Sequence, residues 1–67
     1  MAVEILLNGK TVVTQTVNVL DLLIEQGYAG AKIATALNGE FVPASQQREQ
    51  RIQEGDKIEV VAPRQGG

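Results

Sequence analysis

An α+β fold is what the sequence predicts: a mixed sheet of four to five strands wrapped around one helix, in a single domain of 67 residues. Three observations lead there. Two Asn-Gly dipeptides, Asn8-Gly9 and Asn38-Gly39, each sit between strand-like runs, and this dipeptide suits the positive φ angles of a tight hairpin turn. Between them lies a single short amphipathic helix pattern. The chain then closes on an alternating run, 57–61, whose Ile58 and Val60 require cover on one face.

Taken in order, residues 3–7 read as a strand with Val3, Ile5 and Leu7 on one face and Glu4 and Leu6 on the other. Residues 11–16 are rich in β-branched side chains and pair back on the first strand. Asn18 has the character of a helix N-cap, with Asp21 three positions on to complement the exposed N–H groups. Val19, Leu22 and Leu23 fall at i, i+3 and i+4 and give one buried face. Leu20 and Ile24 form a second apolar pair, so the helix is expected to be clasped by the sheet. Gly27 is placed as the left-handed residue after the last turn, with Tyr28 packing just beyond it.

Residues 33–37 form the next strand, Asn38-Gly39 its turn, and 40–42 a short return strand closed by Pro43. Ser45 is the expected cap of a single turn through Gln46, Gln47 and Arg48, with Ile52 the apolar anchor of this polar segment. Glu54-Gly55-Asp56 reads as a solvated turn, with no metal site expected. A two-turn helix between an N-terminal hairpin and later strands, with 57–61 lying centrally, is the β-grasp arrangement. It sends the C-terminus out from the sheet edge.

Composition narrows the function classes. The chain has no cysteine and no histidine, which removes a disulfide framework, a thiolate zinc site and the commonest general base. The net charge is −2, and the six basic residues are scattered rather than arrayed along a phosphate backbone, so nucleic-acid binding is not expected. No apolar run approaches the ~20 residues of a membrane span, nor is there a signal-peptide layout, so the expected location is cytoplasmic. No nucleophile–base pair stands out, and the expectation is a non-enzyme.

The remaining unusual group is the end of the chain. The division expected is a β-grasp domain over 1–61 and a flexible tail over 62–67. Pro63 cannot donate to a sheet ladder and marks the end of the last strand. Gly66 and Gly67 have no Cβ and can lie closely against another surface. The terminal carboxylate then reads as the functional group, with the domain as its handle.

Leu22-Leu23 on the helix, Ala36-Leu37-Asn38-Gly39-Glu40 with Val42-Pro43, residues 54–59, and the closing Gly66-Gly67 together resemble the thiamine-biosynthesis sulfur carrier family (ThiS), a branch of the ubiquitin-like proteins. The likeness covers essentially the whole chain. It departs from the family at Gln47, where an aromatic residue is typical, at Ala44, where a basic one is, and at Gln26, usually apolar.

The resemblance implies a carrier cycle. A ubiquitin-activating-type enzyme similar to ThiF uses ATP to adenylate the carboxylate of Gly67, a persulfide donor replaces the adenylate with sulfur, and a thiazole synthase similar to ThiG receives it. The carrier binds no cofactor of its own. Gly66, Gln65 and Arg64 would thread the partner's channel, where only a slender tail fits. Leu6, Ala36, Phe41 and Val61 form the candidate docking surface, since a carrier that serves two enzymes needs an apolar patch. The same terminus would serve molybdopterin synthesis or another sulfur-transfer pathway. A β-grasp interaction module with an inert tail, or conjugation to lysines as in ubiquitin, is the reading from another class.

Overall fold

The computed structural model describes residues 1–62. Five strands and one helix follow the order β1 (Val3–Leu7), β2 (Lys10–Thr14), α1 (Val19–Glu25), β3 (Ala34–Leu37), β4 (Glu40–Phe41) and β5 (Lys57–Val61), with a 3-10 turn at Ala44–Gln46. The sheet order is β2-β1-β5-β3-β4. β5 runs parallel to β1 and antiparallel to β3. The last strand is therefore the middle one, and two hairpins flank it. The chain leaves from the end of that middle strand, beside Ala34, rather than from a lateral edge of the sheet.

Both hairpins turn on their Asn-Gly pairs. Asn8 and Asn38 each sit at φ 52, followed by Gly9 at φ 83 and Gly39 at φ 87. Two successive positive φ angles match the twist of the flanking strands.

The helix is closed at both ends by hydrogen bonds that its own residues cannot supply. The Asp21 N–H donates to Asn18 Oδ1 at 2.8 Å, while Asn18 Nδ2 donates to Asp21 Oδ2 at 3.1 Å. The N–H groups of Val19 and Leu20 reach the carbonyls of Gln50 and Gln47 at 2.9 and 3.1 Å. The orphan donors of the first turn are thus all satisfied, and the polar 47–50 segment is held against the helix start. At the other end the Gly27 N–H bonds the Ile24 carbonyl and the Tyr28 N–H bonds the Leu23 carbonyl. With Gly27 at φ 91, that is a Schellman cap.

Val19, Leu22 and Leu23 face the sheet and pack with Ile5, Leu7, Ile52, Ile58 and Val60. Each fully buried Leu or Ile contributes roughly 1.5–3 kcal/mol, so a core this small has little to spare. Tyr28, Val12, Ile33 and Leu37 pack at its margin.

The sheet clasps the helix through that one stripe: Leu20 is half-buried and Ile24 is 50% exposed, because a seven-residue helix turns only one stripe toward a sheet lying on one side of it. The expectation for Ser45 is corrected: it caps nothing. Pro43 occupies the cap position of the 3-10 turn, with no side-chain bond, since its extended ψ and fixed φ already direct the chain into the turn.

Candidate functional site

Strand alternation sorts the sheet into two faces. Ile5, Leu7, Thr35, Ile58 and Val60 point toward the helix and are buried. The residues between them form the outer face, where the register pairs Leu6 with Lys57, Ala36 with both Glu59 and Phe41, and Ala34 with Val61. Leu6, Ala36, Phe41 and Val61 are thereby brought onto one surface. Phe41 is 67% and Val61 63% exposed, whereas Leu6 and Ala36 are half-buried. Lys57 and Glu59, on β5, run through the middle of this patch with their charges toward solvent. Val13, in register with Glu4 and 66% exposed, is a further apolar residue of the outer face, on β2. Its phase relative to Val12 marks it as outward-facing.

What positions the patch is the seating of β5. β1 ends at Leu7 and pairs with β5 only through Lys57 and Ile58, so the second half of β5 lacks a backbone partner on that side. Asn8 supplies one: its Oδ1 accepts the Val60 N–H at 2.8 Å, and its own N–H donates to the Ile58 carbonyl at 2.9 Å. Asn38 does the same at the strand's start. Its Oδ1 accepts the Lys57 N–H at 2.9 Å and its N–H donates to the Lys57 carbonyl at 2.7 Å. The turn asparagines therefore clasp the central strand at its two ends, a role beyond turning the chain.

The 54–56 turn spends its carboxylates on N–H donors. Glu54 Oε1 accepts from the Glu4 N–H at 2.9 Å. Asp56 Oδ2 accepts from the Gln53 N–H at 2.7 Å, and Asp56 Oδ1 from Asn38 Nδ2 at 3.0 Å. Among the described residues no group of three or more His, Cys, Asp or Glu is placed to hold a metal ion, and no helix is long and apolar enough to cross a membrane. Pro63, Arg64, Gln65, Gly66 and Gly67, the tail singled out in the sequence, lie outside the described residues.

With this geometry in place, comparison with known proteins decides the relationship. The ThiS family model matches residues 2–67. The chain belongs to the ThiS family. A crystal structure of a thiamine biosynthesis protein (ThiS) from Geobacter metallireducens is similar to this ThiS-family chain at 26% identity, covering 96% of this chain and 99% of that one, with a TM-score of 0.80. The β-grasp fold is shared. A search of curated proteins gave no match. Of the departures noted in the sequence, Gln47 and Ala44 fall together: Gln47 is 7% exposed, and both border an apolar groove with Leu20, Ile24, Tyr28 and Ile33. Gln26 is the exposed C-cap of the helix.

Proposed function

We propose that this ThiS-family protein is a sulfur carrier in thiamine biosynthesis, working in the cytoplasm as a substrate of other enzymes rather than as a catalyst. The observation that carries the reading is the family match over residues 2–67, on a chain whose last residues are Gly66-Gly67. A carboxylate is a poor electrophile until it becomes a mixed anhydride. An activating enzyme of the ThiF type joins the Gly67 carboxylate to the α-phosphorus of ATP and releases pyrophosphate. A persulfide sulfur then displaces AMP, and cleavage of the S–S bond by a thiol leaves a thiocarboxylate. A thiazole synthase of the ThiG type takes the sulfur from it. Gly66, Gln65 and Arg64 form the strip that enters the activating site, which must close to keep water from the anhydride.

The outer face supports this reading as the docking surface. Leu6, Ala36, Phe41 and Val61 lie around β5, the strand that leads into the tail, so an enzyme that grips this face holds the tail in a fixed direction. Lys57 and Glu59 within the patch supply charge complementarity, which sets orientation more than affinity.

Intact mass spectrometry of the protein purified from its own cells tests the chemistry. A species with one terminal oxygen replaced by sulfur is expected, lost when Gly67 is deleted. Absence of that species in cells actively making thiamine overturns the carrier reading. Incubating the thiocarboxylated protein with purified thiazole synthase tests the pathway, and failure to form a thiazole product would exclude it.

A further inference from the structure

We propose that Asn38 is a latent deamidation site, guarded by the fold, whose conversion to aspartate unlatches the start of the central strand. An asparagine followed by glycine is chemically labile because the glycine, having no Cβ, leaves its backbone nitrogen free to approach the preceding side chain. The Gly39 nitrogen bonds to Asn38 Cγ and gives up its proton, the Cγ–Nδ2 bond breaks, and ammonia departs. Water then opens the cyclic imide at either carbonyl, leaving aspartate or an isoaspartyl link. One water is consumed and one ammonia released, with no change of oxidation state.

In the folded chain, Asn38 is tied down at every polar atom that this reaction needs to move. Its Oδ1 accepts the Lys57 N–H at 2.9 Å, so the orientation of the amide is set by a backbone donor. Its Nδ2 donates to Asp56 Oδ1 at 3.0 Å, and its N–H to the Lys57 carbonyl at 2.7 Å. Ring closure requires both ends of the amide to let go together, which happens when β5 lifts from β3.

Once converted to aspartate, the residue keeps an acceptor for the Lys57 N–H but loses the donor that held Asp56. An oxygen replaces Nδ2 opposite Asp56 Oδ1, so two carboxylates meet at hydrogen-bond distance with no proton between them. Turning Asp56 away would give up the Gln53 N–H, which its second oxygen holds at 2.7 Å. Like charges at this range oppose the folded state. The isoaspartyl product adds a main-chain atom inside the turn and shifts the Ala36–Phe41 and Leu37–Glu40 pairing. Asn8-Gly9 has the same chemistry with a different outcome: the bond its side chain makes uses only Oδ1, toward Val60, and aspartate retains that acceptor. As aspartate the two turns are thus unequal, since only residue 38 then faces a carboxylate; the isoaspartyl product disturbs either turn. This inference stands apart from the sulfur-carrier reading, and its tests read stability and covalent state alone.

The full-length protein is incubated at mildly alkaline pH, native and in urea, and residues 8 and 38 are mapped by peptide mass spectrometry. Conversion at residue 38 is expected to run at least ~10-fold faster in urea, as for a site exposed only by opening. Equal rates in the two conditions overturn the guarding. In parallel, Asn38→Asp is expected to lower Tm at neutral pH by at least about 5 °C, whereas Asn8→Asp leaves it near the parent value. The double variant Asn38→Asp/Asp56→Asn, which exchanges donor and acceptor, is expected to recover most of the loss. It also decides the matter where Asn38→Asp alone does not fold. In Asn38→Asp, repulsion raises one carboxyl's folded pKa above its unfolded value, so the deficit is present at neutral pH and shrinks as pH falls through that raised pKa. A neutral-pH Tm equal to the parent, or no recovery in the double variant, refutes the proposal.

Discussion

Replacing Asn8 by glycine isolates one hydrogen bond of the central strand. Asn8 sits at φ 52, where glycine is at ease, so the turn itself survives. What disappears is the Oδ1 acceptor of the Val60 N–H, 2.8 Å away in a part-buried position. Leaving a buried donor without a partner costs about 1–3 kcal/mol. Asn8 is exposed, and water can reach part of the vacated position, which favours the lower half of that range. For a chain of this length, with a total stability of about 3–10 kcal/mol, a loss of ~1–2 kcal/mol is large. It corresponds to a fall in Tm of roughly 5–15 °C. The comparison that matters is with Asn8→Asp, which keeps an acceptor in the same turn. Urea denaturation followed by circular dichroism gives both values, with the slope unchanged if only native stability has moved. Hydrogen exchange adds a local reading, since the Val60 amide should lose protection in Asn8→Gly and keep it in Asn8→Asp. Should the two variants agree within about 0.3 kcal/mol, the clasp contributes nothing and the reasoning fails.

Two further outcomes follow from the burial pattern. Thr35 is 1% exposed and its Oγ1 has no hydrogen-bond partner among the described residues. Thr35→Val exchanges that orphaned hydroxyl for a methyl of similar volume and should stabilise the domain by about 1 kcal/mol, and a lower urea midpoint would contradict this. Val61→Asp changes a side chain that is 63% exposed, so stability should move by no more than about 0.5 kcal/mol. Adenylation by the activating enzyme should nonetheless drop at least ~10-fold if Val61 is a docking contact, and an unchanged rate removes it from the interface.

The features legible in the sequence are those written in local spacing. The Asn-Gly turns, the Asn18 cap with Asp21, the Val19/Leu22/Leu23 stripe, the left-handed Gly27 and the alternating Ile58 and Val60 each declare themselves within a few residues. The central place of β5 was legible too, from the need to cover its alternating Ile58 and Val60 face. Tertiary hydrogen bonds leave no such trace. Nothing near Asn8 in the chain announces Val60, 52 residues away. Nothing around Thr14 shows that it is 2% exposed and donates to Glu25 at 2.6 Å, tying the helix end to β2. The 44–50 segment was opaque for the same reason: its order comes from the bare N–H groups at the helix start, which donate to whatever carbonyls the tertiary fold delivers. Of the candidate docking residues, alternation alone located Leu6, Ala36 and Val61 on a common face.

The sheet order has a consequence for vectorial synthesis. β1 and β3 never touch as neighbours; each is zipped to β5, the last of the described strands to be translated. A nascent chain that has emerged only as far as residue 56 holds two separate hairpins and a helix whose apolar stripe lacks half its cover. Joining them requires residues 57 and 58 to find Leu6 and Leu7 across roughly fifty intervening residues, a loop closure that is slow by its length. The ribosome must therefore release residues 57–61 before the domain can close, and each new copy spends that interval as an open clasp awaiting its bar.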